Sequence, residues 1–261
     1  MDIEFVVSLL IVCFFGLSLG SFLNVIIYRL PRKESIIFPP SYCPVCSTPI
    51  KYRDNIPILS YIFLGGRCRS CSTKISFTYP LIEFITACTA VVLFLLNGPT
   101  INFASDLSLG AILLAAAVID LKHMIIPDRL NISGIIIAVI FSVLRGFDGI
   151  VRSIQGAFIG VLILFVMLWL GKLFFKREGV GFGDIKLAFV IGLFVGPFWC
   201  CIALLLAIIT GGIWGIVQLT LGKKVIGIQM PFGPFIALGG FLVLFFRIQI
   251  LYFIEQYLSL F

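Results

Sequence analysis

Between Phe5 and Tyr28 the chain carries no charged side chain, and comparable apolar runs recur to its end. A helix of roughly 20 apolar residues crosses the hydrocarbon of a bilayer, and about eight runs here approach that length. They are continuously apolar rather than alternating, which predicts helices and excludes barrel strands. Only 12% of the 261 residues are charged and 61% are hydrophobic, whereas an ordinary globular chain is about 25% charged. A soluble fold of this size could not hide so much apolar surface. The expected fold is an all-α polytopic membrane protein with about eight transmembrane helices.

The expected spans cover about residues 5–28, 79–97, 107–121, 130–144, 154–175, 185–196, 198–221 and 232–253. Asn24 lies inside the first run and should face protein rather than lipid. Asp2 and Glu4 precede that run and basic residues follow it, the reverse of a secretory signal peptide. No internal repeat or low-complexity tract stands out.

Orientation follows from the cations. With the N-terminus outside, the inner loops are residues 29–80, 121–130, 172–186 and 222–231, and they hold all but three of the 19 Lys and Arg. The exceptions are Arg145, Arg152 and Arg247. Basic loops stay on the cytoplasmic side, so this asymmetry also accounts for the net charge of +7 without a nucleic-acid partner. The partner it implies is the lipid bilayer.

Residues 29–80 form the one long polar segment and divide the chain into a first helix (1–28), a small cytoplasmic domain (29–80) and a membrane domain (81–261). Within the segment, Cys43 and Cys46 form one C-x2-C pair, and Cys68 and Cys71, after 21 intervening residues, form another. Two such pairs supply four thiolates to a tetrahedral structural zinc. A reducing cytoplasm disfavours disulfides, and a segment of about 50 residues has little core of its own and needs such a staple. The expectation is a zinc-ribbon-like domain between helices 1 and 2. Cys13, Cys88, Cys200 and Cys201 lie in spans and read as small apolar packers.

Two carboxylates stand at the cytoplasmic edges of spans. Asp120 ends the run Leu113–Ile119, and Asp184 follows Gly181, Phe182 and Gly183 at the start of another. Acids at membrane depth are costly and face protein or water. Alone, Asp120 could be an interfacial residue paired with Lys122, and Asp184 an ordinary N-cap. Together they can form a dyad that shares one proton, one acid acting as base on a water and the other protonating a carbonyl oxygen. Gly181 and Gly183 can take backbone angles closed to other residues, and they admit a close-lying chain or substrate. Asp120 ends its helix and Asp184 starts one, so the helix dipoles predict that Asp120 holds the proton. Asp128, after Pro127, reads as an N-cap. Glu83 reads as an acid at the positive start of the second span and as a further functional candidate. His123 is the single histidine and has no serine motif beside it, and no H-E-x-x-H run is present.

At these residues the chain resembles the type IV prepilin peptidase family. The likeness rests on Gly20–Asn24 with Tyr28–Pro31, both cysteine pairs, and Asn55–Pro57 with Ser60 and Tyr61. Gly66–Arg69, Tyr79–Glu83, Asp120–Asp128 and Gly181–Asp184 complete it. The resemblance implies a bacterial inner-membrane aspartic endopeptidase that removes the basic leader of type IV prepilins, or of pseudopilins of type II secretion or DNA uptake. It places catalysis on Asp120 and Asp184 rather than Asp128. It also implies N-methylation of the new N-terminus with S-adenosylmethionine, a property that accompanies the four-cysteine loop. Two other classes share part of the pattern. A presenilin-like intramembrane protease has Gly-x-Gly-Asp but no use for the cysteine loop, and an ion-coupled transporter could use the two acids as a pathway.

Overall fold

The structure, a computed structural model, describes residues 3–175, 181–221 and 230–258. It is all helical but for two isolated bridges: α1 (Ile3–Arg29), α2 (Leu59–Phe63), α3 (Thr78–Asn97), α4 (Ile101–His123), α5 (Asp128–Leu144), α6 (Phe147–Phe175), α7 (Phe182–Thr220) and α8 (Gly233–Leu258). Among the described residues, six helices are long and apolar enough to cross a membrane. The protein is a polytopic membrane protein. Residues 176–180 and 222–229 lie outside the described residues, and with them Gly179, Val180 and the inner-loop cations Lys176, Arg177, Lys223 and Lys224.

Two of the expected spans are joined in α7. Its 39 residues would extend about 58 Å as one straight helix, nearly twice the roughly 30 Å of hydrocarbon. Gly196 instead takes φ 80° and ψ 179° just before Pro197. Residues 188 and 200 of a straight helix would stand about 18 Å apart, yet Cys200 Sγ reaches the Ala188 carbonyl oxygen at 4.0 Å. The chain therefore doubles back at Gly196 into two arms, residues 182–195 and 197–220. With α5, only 17 residues long, this recovers eight apolar segments.

The chain forms two compact units, Met1–Phe103 and Ala104–Phe261. In the first, α1 and α3 pack closely because their contact is lined with small residues. A Cβ on Gly16 would lie 2.7 Å from Ala87 Cα, and one on Gly20 would lie 2.6 Å from Glu83 Cα. Small residues are what let spanning helices approach where apolar lipid supplies no hydrophobic drive. Asn24 is buried, as expected, and its Nδ2 donates to the Tyr79 carbonyl at 3.1 Å.

In the second unit α4 is the most buried span, with buried residues from Ser105 to Asp120. Gly134 of α5 wedges between Ile112 of α4 and Val190 of α7. The opposite end of α4 from Asp120 carries a charge cluster around the buried Asp106. Arg247 Nη2 lies 3.5 Å from Asp106 Oδ1 and the guanidinium lies over Trp199, while Arg145 donates to the Phe194 carbonyl at 3.2 Å. Of the four span cysteines, only Cys200 is a buried packer; Cys88 and Cys201 are exposed on the helix surface.

Candidate functional site

The second unit gathers four helix ends around two carboxylates. Asp120 stands one turn before the end of α4 and is 5% exposed, and Asp184 stands in the first turn of α7 and is 8% exposed. The segment between α4 and α5 returns over the start of α7. A Cβ on Gly183 would lie 3.1 Å from Ile126 Cβ and 3.5 Å from its backbone. Asp128 and Lys186 pair across the starts of α5 and α7. Asp120 and Asp184 are thus both buried at helix ends within the second unit.

Each acid is anchored by a helix start. Asp184 Oδ2 accepts the Gly181 N–H at 2.9 Å, a bond back from the third helical position to the N-cap residue. The alternative that Asp184 is itself the N-cap is thus replaced. Asp120 Oδ2 accepts the N–H of Gly233, the first residue of α8, at 2.8 Å. It does not need Lys122 as a partner.

This geometry overturns the dipole argument for the shared proton. Asp120 does end its own helix, but its carboxylate sits on the positive N-terminal end of α8. Both acids therefore face helix starts, and helix direction no longer separates their roles. Gly233 was not singled out in the sequence. A Cβ there would meet Asp120 Oδ2 at 2.8 Å and Asp120 Cβ at 3.1 Å, so any other residue would displace the carboxylate. The one sequence cue was the Gly233–Pro234 pair, which reads as an ordinary turn.

Three further expectations change. Asp128 is not an N-cap; Pro127 holds that position, and the Asp128 side chain is 67% exposed and paired with Lys186. Gly181 has an ordinary φ of −78° and Gly183 is not among the positive-φ residues, so close approach rather than unusual backbone angle requires glycine at 183. Glu83 is the sixth residue of α3, beyond its first turn. There it is 8% exposed, and its Oε2 accepts the Ile58 N–H at 2.7 Å.

The cysteine loop holds a second cluster. The four sulfurs of Cys43, Cys46, Cys68 and Cys71 lie within 4.8 Å of one another, and Cys43 Sγ is 3.8 Å from Cys71 Sγ. A tetrahedral zinc with bonds of about 2.3 Å sets neighbouring sulfurs about 3.8 Å apart, so the donor set and its geometry fit that ion.

The two knuckles are a short repeat, contrary to the expectation of none. Cys43–Ile50 and Cys68–Ile75 share the pattern C-x2-C-S-T-x-I. They share a fold too. Ser47 donates to the Cys43 carbonyl at 2.8 Å and Ser72 to that of Cys68 at 2.9 Å, and both serines take φ 57°. Between residues 31 and 77 only Cys43 and Ser60 are buried, so the lobe has almost no apolar core. Polar bonds hold its parts in place. Arg29 donates to the Ser35 and Pro39 carbonyls at 3.0 and 2.7 Å. Arg69 grips Asp54 at 2.6 and 2.9 Å, holding that carboxyl below its usual range.

An integral-membrane protein with two buried, helix-anchored carboxylates in one unit and a four-cysteine lobe in the other is a narrow class. Residues 14–96 match the model of the bacterial peptidase A24 N-terminal domain, and residues 107–216 match that of the type IV leader peptidase family. The chain is 34% identical to a prepilin leader peptidase/N-methyltransferase of Aeromonas salmonicida strain A449, over 90% of this chain and 89% of that protein. It is 34% identical to one of Dichelobacter nodosus, over 90% and 91%. With one of Pseudomonas aeruginosa it shares 33% identity over 90% and 89%. No solved structure matches it. The chain belongs to the type IV leader peptidase family.

Proposed function

We propose that the chain is a bacterial inner-membrane aspartic endopeptidase that removes the leader of type IV prepilins or pseudopilins through Asp120 and Asp184, and then N-methylates the new terminus with S-adenosylmethionine. The observation that carries this reading is the pair of buried acids in one unit, each held by a backbone N–H from a helix start. The names of the relatives support both activities. The cation asymmetry of the loops supports an outside N-terminus and a site facing the cytoplasm.

In the reaction one carboxylate takes a proton from water as the oxygen attacks the scissile carbonyl. The other gives a proton to the carbonyl oxygen, and the C–N bond then breaks with a proton passed to the leaving nitrogen. The Oδ2 bonds to Gly181 and Gly233 fix the planes of the two carboxylates and leave their Oδ1 atoms for these transfers. Gly181 is exposed beside Asp184, and with Gly183 it lets the extended substrate backbone lie close. The apolar helix of a prepilin enters the bilayer beside the second unit, and its leader stays in the cytoplasm.

Cys43, Cys46, Cys68 and Cys71 hold a structural zinc that fixes the shape of the 29–80 domain, which serves methyl transfer. The four thiolates fill its coordination shell, so the metal takes no part in peptide hydrolysis. Incubating the purified, full-length protein with a prepilin and methyl-labelled S-adenosylmethionine tests both activities. Leader removal and label on the new N-terminus are expected. Ion flux in liposomes without cleavage would overturn the peptidase reading.

A further inference from the structure

The first unit contains a cavity of about 410 Å³, a size suited to a small organic molecule. Its wall is built from the last turns of α1 (Asn24, Tyr28), the first turns of α3 (Tyr79, Glu83) and the lobe (Tyr42, Tyr61). Nothing in the peptidase reaction uses it. Both peptidase acids fall in the 107–216 match, and the cavity falls in the 14–96 match.

The lining also carries three cations, but Arg29 is bound to the Ser35 and Pro39 carbonyls, Arg69 is paired with Asp54, and Lys74 is exposed. Glu83 brings a carboxylate to the wall, although it sits in an apolar helix and is 8% exposed. The groups that hold it, the Ile58 N–H and the Ser21 hydroxyl, are neutral. Asn24 is held by the Tyr79 carbonyl, so the polar part of the wall is fixed in place. A carboxylate among aromatic rings suits an organic cation, since the ring faces are themselves negative. Flat tyrosine surfaces also stack a purine.

We propose that this cavity binds the sulfonium methyl donor S-adenosylmethionine, with Glu83 facing the positive sulfur and the tyrosines flanking the adenine. The assignment rests on the methyl-transfer reading above. In that step the neutral amine of the cleaved chain attacks the methyl carbon. The N–C bond forms as the C–S bond breaks, and the electron pair stays on sulfur as a neutral thioether. The positive charge passes to the methylated nitrogen, so charge balances without another reactant.

The consequence is a preference for the sulfonium over its neutral thioether product, S-adenosylhomocysteine. Isothermal titration of the detergent-solubilised full chain with each compound measures it. Glu83→Gln keeps the size and an acceptor for Ile58, and it should weaken donor binding about tenfold with little change for the thioether. Val25→Trp fills the cavity from α1 and should abolish binding of both, with a melting temperature like that of wild type. Wild-type protein that binds neither compound overturns the methyl-transfer reading itself. Wild-type binding that survives both substitutions unchanged overturns the cavity assignment alone. Displacement of the donor by a basic leader peptide would assign the cavity to the leader and overturn it as well.

Discussion

The Gly233 N–H donates to Asp120 Oδ2 at 2.8 Å, joining residues 113 positions apart. Through this bond the end of the most buried helix, α4, is fixed to the start of α8. Gly233→Ala inserts a Cβ 2.8 Å from that oxygen, so the carboxylate must turn or shift. Displacing a reacting group by about 1 Å can cost roughly 100-fold in rate. We expect Gly233→Ala to lower kcat for leader cleavage on that scale with little change in KM, while the protein stays inserted. Cleavage kinetics on a synthetic prepilin check this. Wild-type kcat would show that the Asp120 carboxylate is not held by this contact.

The three acids near the site separate by burial. Asp120 and Asp184 are buried, whereas the Asp128 side chain is 67% exposed and bound to Lys186. Asp120→Asn and Asp184→Asn each keep a side-chain oxygen to accept the Gly233 or Gly181 N–H but remove the acid. Loss of acid–base function costs about 100- to 10,000-fold. Asp128→Asn breaks only an exposed ion pair, worth roughly 0–1 kcal/mol, and should cleave within about threefold of wild type. Side-by-side rates for the three variants decide the point, and a collapse of activity in Asp128→Asn would move catalysis to that acid.

What the sequence made legible here is what depends on one segment at a time. Hydropathy located the apolar segments, including the break near Gly196, because a lipid-facing helix declares itself residue by residue. Asp120 and Asp184 stood out because each breaks such a run at its edge. What stayed hidden depends on a second segment. The dipole argument used the helices that carry the acids, and it failed because the start of α8, 113 residues on, supplies the field at Asp120. Glu83 looked like a helix-start acid until Ile58 proved to be its partner. The knuckle repeat was readable in principle, but its eight-residue motif is short beside the intervening chain and only the shared turns make it plain.

The fold-back in α7 gives a stability prediction. Gly196 takes φ 80°, where a side chain is strained by about 1–3 kcal/mol. Its space is open, with nothing nearer than 3.9 Å to an added Cβ, so Gly196→Ala isolates the backbone term. The expected result is a lower melting temperature of the purified protein in detergent. Gly192 adds a packing term, since its Cβ would run into the backbone of Gly156 on α6; Gly192→Leu should destabilise more. An unchanged melting temperature in Gly196→Ala would mean that the two arms do not need this turn.

The cysteine lobe should fail before the membrane core does. Only two of its residues between 31 and 77 are buried, so a zinc held by the four cysteines would supply much of what a core does, and small domains of this kind unfold when such an ion is removed. Both knuckles line the cavity of the first unit, whereas the two acids and their anchoring glycines belong to the second. Cys43→Ser or Cys71→Ser should therefore reduce bound zinc, seen by metal analysis, and abolish methyl transfer. Leader cleavage should fall by much less. Each loop pair supplies half of the shell, so a defect in one knuckle should resemble a defect in the other. Equal loss of cleavage and methylation would show instead that the zinc lobe holds the peptidase unit in its working form.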